Sequence, residues 1–287
     1  MSVPDGAKVM LDQITPVILT YNEAVNIGRM LAKLHWARDI VVVDSMSTDA
    51  TAELVGGIPT ARFFKRPFDS HAAQWTFALT ETGVETEWVL ALDADYLLTD
   101  QLIAEMAELT PGPEVAGFST QFRYCVAGRP LRASLYPPVT VLFRRTRAHY
   151  VQDGHTQRVV IDGNVHGLAG RIWHDDRKSL DRWLSSQQRY TRLEADHLLA
   201  SAPSSLGWAD RIRRLGWPAP ILIFFYTLLW KRCLFDGWPG WLYVLQRTVA
   251  EAMIALAVVD RRLGGAGKGQ ESRKLAGHSH RSKDATG

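Results

Sequence analysis

The chain has 287 residues, of which 46% are hydrophobic and 22% charged, with a net charge of +3. That length accommodates one α/β domain plus an addition, while so small and dispersed a charge excludes a nucleic-acid surface. Cys125 and Cys233, the two cysteines, make neither a metal-ligand pattern nor a disulfide framework.

The first six residues lack a basic start and an apolar core, so no signal peptide is expected. Ile14–Thr20 is an apolar, β-branched run that leads into Tyr21-Asn22-Glu23-Ala24. A helical pattern follows at Val25, Ile27, Met30, Leu31 and Leu34. Asp39–Val43 is apolar on both faces, as a buried parallel strand requires, and ends in Asp44-Ser45-Met46-Ser47-Thr48-Asp49. Ser47, Thr48 and Asp49 offer an N-cap for a helix over 50–55. Ala61–Phe64 reads as a strand running into Lys65 and Arg66, and Ala72–Leu79 as a helix carrying Gln74 and Trp75. Trp88–Leu92 is the next strand, and it ends in Asp93-Ala94-Asp95.

Strands that alternate with helices predict a mostly parallel open sheet, which binds ligands at the carboxyl ends of its strands. The polar clusters at Thr20–Glu23, Asp44–Asp49, Lys65/Arg66 and Asp93–Asp95 then converge on one crevice. Strand period places Asp93 and Asp95 on one face. Two carboxylates that close repel each other unless a cation sits between them. A hard divalent ion, Mg²⁺ or Mn²⁺, bridging to a diphosphate suits the pair.

The motifs T-Y-N-E-x-x-N-I, V-V-V-D-S-x-S-T-D-x-T, R-P-F and W-V-L-x-L-D-A-D occur in this order. Together they resemble the family 2 glycosyltransferases of the GT-A fold, over roughly residues 12–200. The R-P-F segment, with Phe143-Arg144-Arg145, Asp153, Arg158-Val159 and Asp162-Gly163, is similar to the lipopolysaccharide-core glucosyltransferase branch. The resemblance implies an inverting transfer of a sugar from a nucleotide-sugar, a UDP-sugar first. It implies a nucleotide pocket of Thr20, Tyr21, Glu23, Asp44, Ser45 and Arg66, with Asp44 accepting a hydrogen bond from the base. Asp95 holds the metal, Asp93 contacts ribose or metal, and His174 completes the metal site. The base that deprotonates the acceptor is Asp153 first and His155 second, because Thr156-Gln157 replaces the family's His-Glu and Gln157 takes no proton. Trp75 departs from the family's pattern and is expected to pack or to meet the acceptor.

The carboxyl third has a different character. Residues 179–199 read as an amphipathic helix closing a catalytic domain of residues 1–200. Ile221–Trp230 is an apolar run of about half the ~20 residues that span a bilayer, closed by Lys231-Arg232. A longer run, Trp241–Val259, carries Gln246, Arg247 and Glu251 on one side. With five tryptophans and flanking arginines, residues 201–263 are expected to lie in a membrane surface. The tail 264–287, rich in Gly, Ser and Lys/Arg, is expected to be disordered. The acceptor implied is lipid-linked or a lipopolysaccharide glycan at the cytoplasmic face of the inner membrane. A polyprenyl phosphate acceptor, or a non-catalytic scaffold in glycan assembly, is the alternative.

Overall fold

The computed structural model describes residues 10–132, 135, 137–153 and 156–281, with backbone alone at 152, 153, 156 and 265–281. It divides into two compact units, residues 1–179 with 231–240, and residues 180–230 with 241–287.

In the first unit, β1 (Ile14–Thr20), β2 (Ile40–Asp44), β3 (Ala61–Lys65) and β4 (Trp88–Asp93) form the parallel half of a sheet, ordered β3-β2-β1-β4. Helices α1 (Ile27–Ala32), α2 (Thr51–Gly56) and α3 (His71–Thr80) make the crossovers. Both sheet faces are buried, and the strands divide their side chains between two cores by simple alternation. Ile14, Ile18, Ile40, Val42, Trp88, Leu90 and Leu92 enter one core, beside Met30 and Leu34. Val17, Val41, Val43, Val89 and Ala91 enter the other, beside Trp75 and Ala78 of α3. These four strands run as their apolar runs predict.

The other half of the sheet is mixed. The path continues from β4 through β8 (Val139–Arg144), β6 (Val115–Val126), β11 (Asn164–His174) and β5 (Tyr96–Leu98). β8 is antiparallel to both β4 and β6, β11 is parallel to β6, and β5 is antiparallel to β11. β7 (Arg129–Pro130) hairpins onto β6, and α4 (Asp100–Ala107) packs on β11. A separate hairpin joins β9 (Ala148–Asp153) to β10 (Thr156–Ile161).

β11 bulges between Gly167 and Arg171, where Glu105 of α4 accepts hydrogen bonds from the Ala169 and Gly170 amides at 2.9 and 2.7 Å. A Cβ at Gly170 would stand 2.5 Å from Leu102 Cα, so the helix backbone can approach the strand only if residue 170 is glycine.

The second unit contains α5 (Leu180–Ala200), α6 (Trp208–Leu215), α7 (Pro218–Phe225) continuing in a π turn at Tyr226–Trp230, and most of α8 (Trp238–Arg281). The first boundary therefore falls after Ser179, not after residue 200. α5 joins the carboxyl helices because Ala195 and Leu198 bury against Leu206 and Val258. The backbone of α8 continues as helix through most of the tail expected to be disordered.

Gly170→Ala is expected to lower stability by about 1–3 kcal/mol, because the new methyl meets helix backbone that cannot step aside. Urea unfolding followed by circular dichroism checks this, and a midpoint equal to that of the native chain contradicts it.

Candidate active site

Strand register lines up the carboxyl ends of the parallel strands. Thr20 pairs with Asp44, Asp44 with Lys65, and Leu19 with Asp93. Thr20, Asp44 and Lys65 therefore sit in one row across three strands, and Asp93, paired with Leu19, lies one residue before it at the same sheet edge. Thr20 Oγ1 is buried there with no hydrogen-bond partner among the described residues, a polar atom left for a ligand.

The loops after β1 and β2 hold each other. Asn22 takes a left-handed conformation (φ 54°), as asparagine tolerates, and so does Met46 (φ 66°). Asn22 N donates to Ser47 Oγ (2.6 Å) while Asn22 Oδ1 accepts from Thr48 N (2.7 Å). Glu23 N donates to Thr51 Oγ1 (2.8 Å) and Ala24 N to Asp49 Oδ2 (3.1 Å). The N-cap position of α2 is Ala50, whose side chain caps nothing, and Asp49 supplies the missing bond by accepting from Thr51 N at 3.1 Å.

Asp44 is fully buried, and its carboxylate accepts from Ser47 N at 2.7 Å and from the Ser47 hydroxyl. It folds its own loop first. A carboxylate has about four acceptor positions, so capacity remains for a base N–H. Tyr21 is exposed beside it. Ser45 Oγ accepts from Gln74 Nε2 (2.9 Å), and Gln74 Oε1 accepts from Arg66 Nη1 (2.8 Å). Arg66 also forms a two-pronged pair with Asp69 at 2.7 and 2.8 Å. Its guanidinium thus braces the loop after β3. Gln74, completely buried, is the strut between β2 and β3. Trp75 stacks on Tyr150 with centroids 5.0 Å apart, a packing role.

The charged centre lies one strand over. Asp95 Oδ2 is 3.0 Å from His174 Nε2, bringing β11 to the end of β4. Asp175 N donates to Asp95 O (3.0 Å) and fixes that approach. Burial, reinforced by the neighbouring Asp95 charge, pushes the Asp93 carboxyl up to about 6. Burial alone would raise Asp95 too, but His174 and Lys178 outweigh it and hold Asp95 below its ordinary value. His174 is raised in turn, because Asp95 overcomes the cost of burying a cation.

Glu23 joins this cluster through Lys178. Lys178 Nζ lies 2.5 Å from Glu23 Oε1 and 3.6 Å from Asp176 Oδ2. Burial still raises Glu23 to about 7, against the pull of Lys178. Asn26 is the buried hub behind the pair. Its Nδ2 donates to Glu23 Oε2 and to Asp176 Oδ1, both at 2.9 Å, and its Oδ1 accepts from Arg29 Nη2 at 2.7 Å. Asp175 is only 1% exposed and accepts from Arg29 Nη1 (2.6 Å), Arg177 Nε (3.0 Å) and Gly128 N (2.9 Å). Lys178, Asn26, Asp175 and Asp176 had no role assigned from sequence. The run Asp175-Asp176-Arg177-Lys178 directly after a strand was the available signal, but such a run more often marks a solvated turn.

Among the described residues no three His, Cys, Asp or Glu side chains form a ready cage for a metal. The donor set still fits a hard divalent ion of the kind that takes one or two carboxylates and completes its shell with phosphate and water. Two buried carboxylates, one of them raised by the other, are the acidic pair that such an ion relieves. Of the two candidate bases, His155 lies outside the described residues. Asp153 is described only as the last residue of β9, paired with Thr156. β9 packs on α3 through the Trp75–Tyr150 stack, and burial, with the Asp93 charge adding to it, raises the Tyr150 phenol well above its ordinary value.

Asp175→Asn should cost about 3–5 kcal/mol at neutral pH, as expected when a buried ion pair loses one member. The Asp175 carboxyl is held below its ordinary 3.8 despite burial, by Arg177, Gly128 N and Arg29. Its contribution is therefore present above about pH 4 and lost as the pH falls through the lower native value. Unfolding of both chains from pH 7 to pH 2 tests this. A stability gap that grows on acidification contradicts it.

Comparison with known proteins places this geometry in context. Residues 15–184 match the glycosyl transferase family 2 model. The lipopolysaccharide core biosynthesis glycosyltransferase LpsC of Rhizobium meliloti (strain 1021) is 28% identical over 267 residues, covering 86% of this chain and 92% of LpsC. An uncharacterized glycosyltransferase of Rickettsia bellii (strain RML369-C) is 32% identical over 101 residues, 35% of this chain and 33% of its own. The crystal structure of S. aureus TarS 1–349 in complex with UDP-GlcNAc aligns over 88% of this chain and 92% of that one, at 15% identity and a TM-score of 0.46. With its model matched across more than half of the sequence, the chain belongs to glycosyl transferase family 2.

Proposed function

We propose that the chain is an inverting, divalent-metal-dependent hexosyltransferase that moves a sugar from a UDP-sugar to a lipid-linked or lipopolysaccharide glycan. The acceptor class is taken from the similarity to LpsC over most of both chains. The observation that supports the reading is the placement of Asp93 and Asp95 beside His174, Lys178 and Glu23, at the same sheet edge as Thr20 and Asp44. That edge offers an acceptor for a base, an unpartnered hydroxyl, and both cations and carboxylates for a diphosphate and its counter-ion.

Asp95 and Asp93 would hold the ion, with His174 orienting Asp95 as a hydrogen-bonded neighbour. A bound divalent ion supplies positive charge to the diphosphate as it departs. Lys178, held by Glu23 and Asp176, adds a second positive charge that needs no rearrangement during reaction. Asp44, Ser45 and Arg66 shape the nucleotide end, with Arg66 as a brace. The acceptor proton goes to Asp153 first and His155 second; β9, whose last residue is Asp153, packs on α3. The carboxyl helices attach the chain to the cytoplasmic face of the inner membrane.

Asp95→Asn should reduce sugar transfer by about 10²–10³-fold, the loss of one fixed electrostatic contact. It should also abolish the Mn²⁺-dependent part of the thermal shift that UDP produces. Excess chelator should mimic it in the native chain. Full turnover in chelator would remove the metal from the mechanism, and unchanged complementation by Asp95→Asn would favour the scaffold.

Asp153→Asn is expected to lower turnover by about 10²–10⁴-fold while leaving UDP binding intact, because a general base acts on the acceptor. If His155→Ala is the crippled variant and Asp153→Asn is near normal, the base is His155.

A further inference from the structure

Trp238–Gly264 of α8 is long and apolar enough to cross a membrane. The side chains packed against it argue against that path. Glu251 stands at the midpoint of this stretch and is 2% exposed. Its carboxylate accepts from Arg213 Nη2 at 2.7 Å and from Nε at 3.0 Å, with Arg247 3.6 Å away. Arg213 is also within 3.3 Å of Asp210 and 3.5 Å of Glu194. Placing Glu251 at the bilayer centre would carry this whole charged cluster, and the Asp-Arg-Ile-Arg-Arg helix α6 that bears it, into hydrocarbon.

The same two helices flank α8 further along. Gly216, at the end of α6, lies against Val259, and Arg261 of α8 pairs with Asp196 of α5 at 2.6 Å. The polar side of α8 therefore faces its own bundle. Its apolar side is open: Leu242, Leu245, Val249, Leu256 and Leu263 form an exposed stripe, Leu256 at 71%.

α7 with its π turn, Pro218–Trp230, is a second open apolar element. At 1.5 Å per residue it reaches about 20 Å, short of the ~30 Å hydrocarbon core. Ile221, Leu222, Phe225 and Leu229 are exposed along it. Trp217 (75% exposed) and Trp230 (77%) stand at its two ends, where interfacial tryptophans belong. Arg211 and Arg214 bond only main-chain carbonyls of Pro203, Leu206 and Ser201 among their described contacts, so their charge stays available to an anionic partner.

We infer that α8 lies along one leaflet of an anionic membrane, without crossing it, and that α7 inserts beside it into the same leaflet. This deepens the membrane part of the proposed function and rests on it. A second copy of the chain could also cover the α8 stripe, whose spacing is that of a coiled-coil seam. The apolar girth of α7 and its terminal tryptophans exceed what a seam needs and favour lipid.

The test uses the full chain. It should float with vesicles of phosphatidylcholine containing one-third phosphatidylglycerol, and at least tenfold less with phosphatidylcholine alone. In cells, Ser2→Cys and Ser282→Cys should both react with an impermeant maleimide in inverted vesicles and neither in spheroplasts. Labelling from opposite sides would overturn the in-plane reading and leave membrane attachment standing. Leu245→Asp with Leu256→Asp should cut flotation at least tenfold while keeping the UDP-induced thermal shift. If that double variant floats as before but converts a dimer to a monomer in light scattering, the stripe belongs to a second copy. If the native chain floats with neither vesicle, both the leaflet and the membrane contact fall, whereas the UDP shift reports the donor site separately.

Discussion

The buried acidic cluster at the end of β4 is the constraint around which the first unit is organised. Glu23, Asp93 and Asp95 come from two neighbouring strands and are withdrawn from water, which on its own would drive each of them to protonate. The compensation comes from one short segment, His174 to Lys178, delivered by a strand remote in sequence. That segment can arrive only because β11 pairs with β6, bulges at Gly170 against α4, and ends with Asp175 locked by Arg29, Arg177 and the Gly128 amide. The mixed half of the sheet therefore serves as a bracket for His174 and Lys178.

What could be read from sequence follows from range. β1 to β4 declare themselves because each is a continuous apolar run with a polar end, and pairing between parallel strands then aligns those ends automatically. Asp93, Asp95, Asp44 and Thr20 were legible for that reason, and His174 through resemblance. The long strands β6 and β11 were not, because β11 is mostly exposed and its pairing with β6 spans some fifty residues. Lys178 and Asn26 escaped for a related reason. Their roles exist only once β11 returns to β1, and nothing in their immediate neighbours sets them apart. For Arg66, placed in the nucleotide pocket by resemblance, the strand end did not announce that its guanidinium is paired with Asp69 and Gln74.

The second unit inverts the usual logic of a helical bundle. Its most specific interior contact is the Arg213–Glu251 pair, while its largest aromatic side chains face outward. It buries a small apolar cluster of its own, Ala195, Leu198, Leu206 and Val258. Much of its apolar area stays exposed, and its buried ion pair fixes which helix faces turn inward.

The mutual hydrogen bonding of the loops after β1 and β2 has a kinetic consequence. Asn22, Glu23 and Ala24 are tied to Ser47, Thr48, Thr51 and Asp49 before any ligand arrives. A nucleotide that settles there meets a surface whose conformational freedom was surrendered during folding, so association needs no slow loop closure on this side. The rate of encounter should then be governed by diffusion and charge.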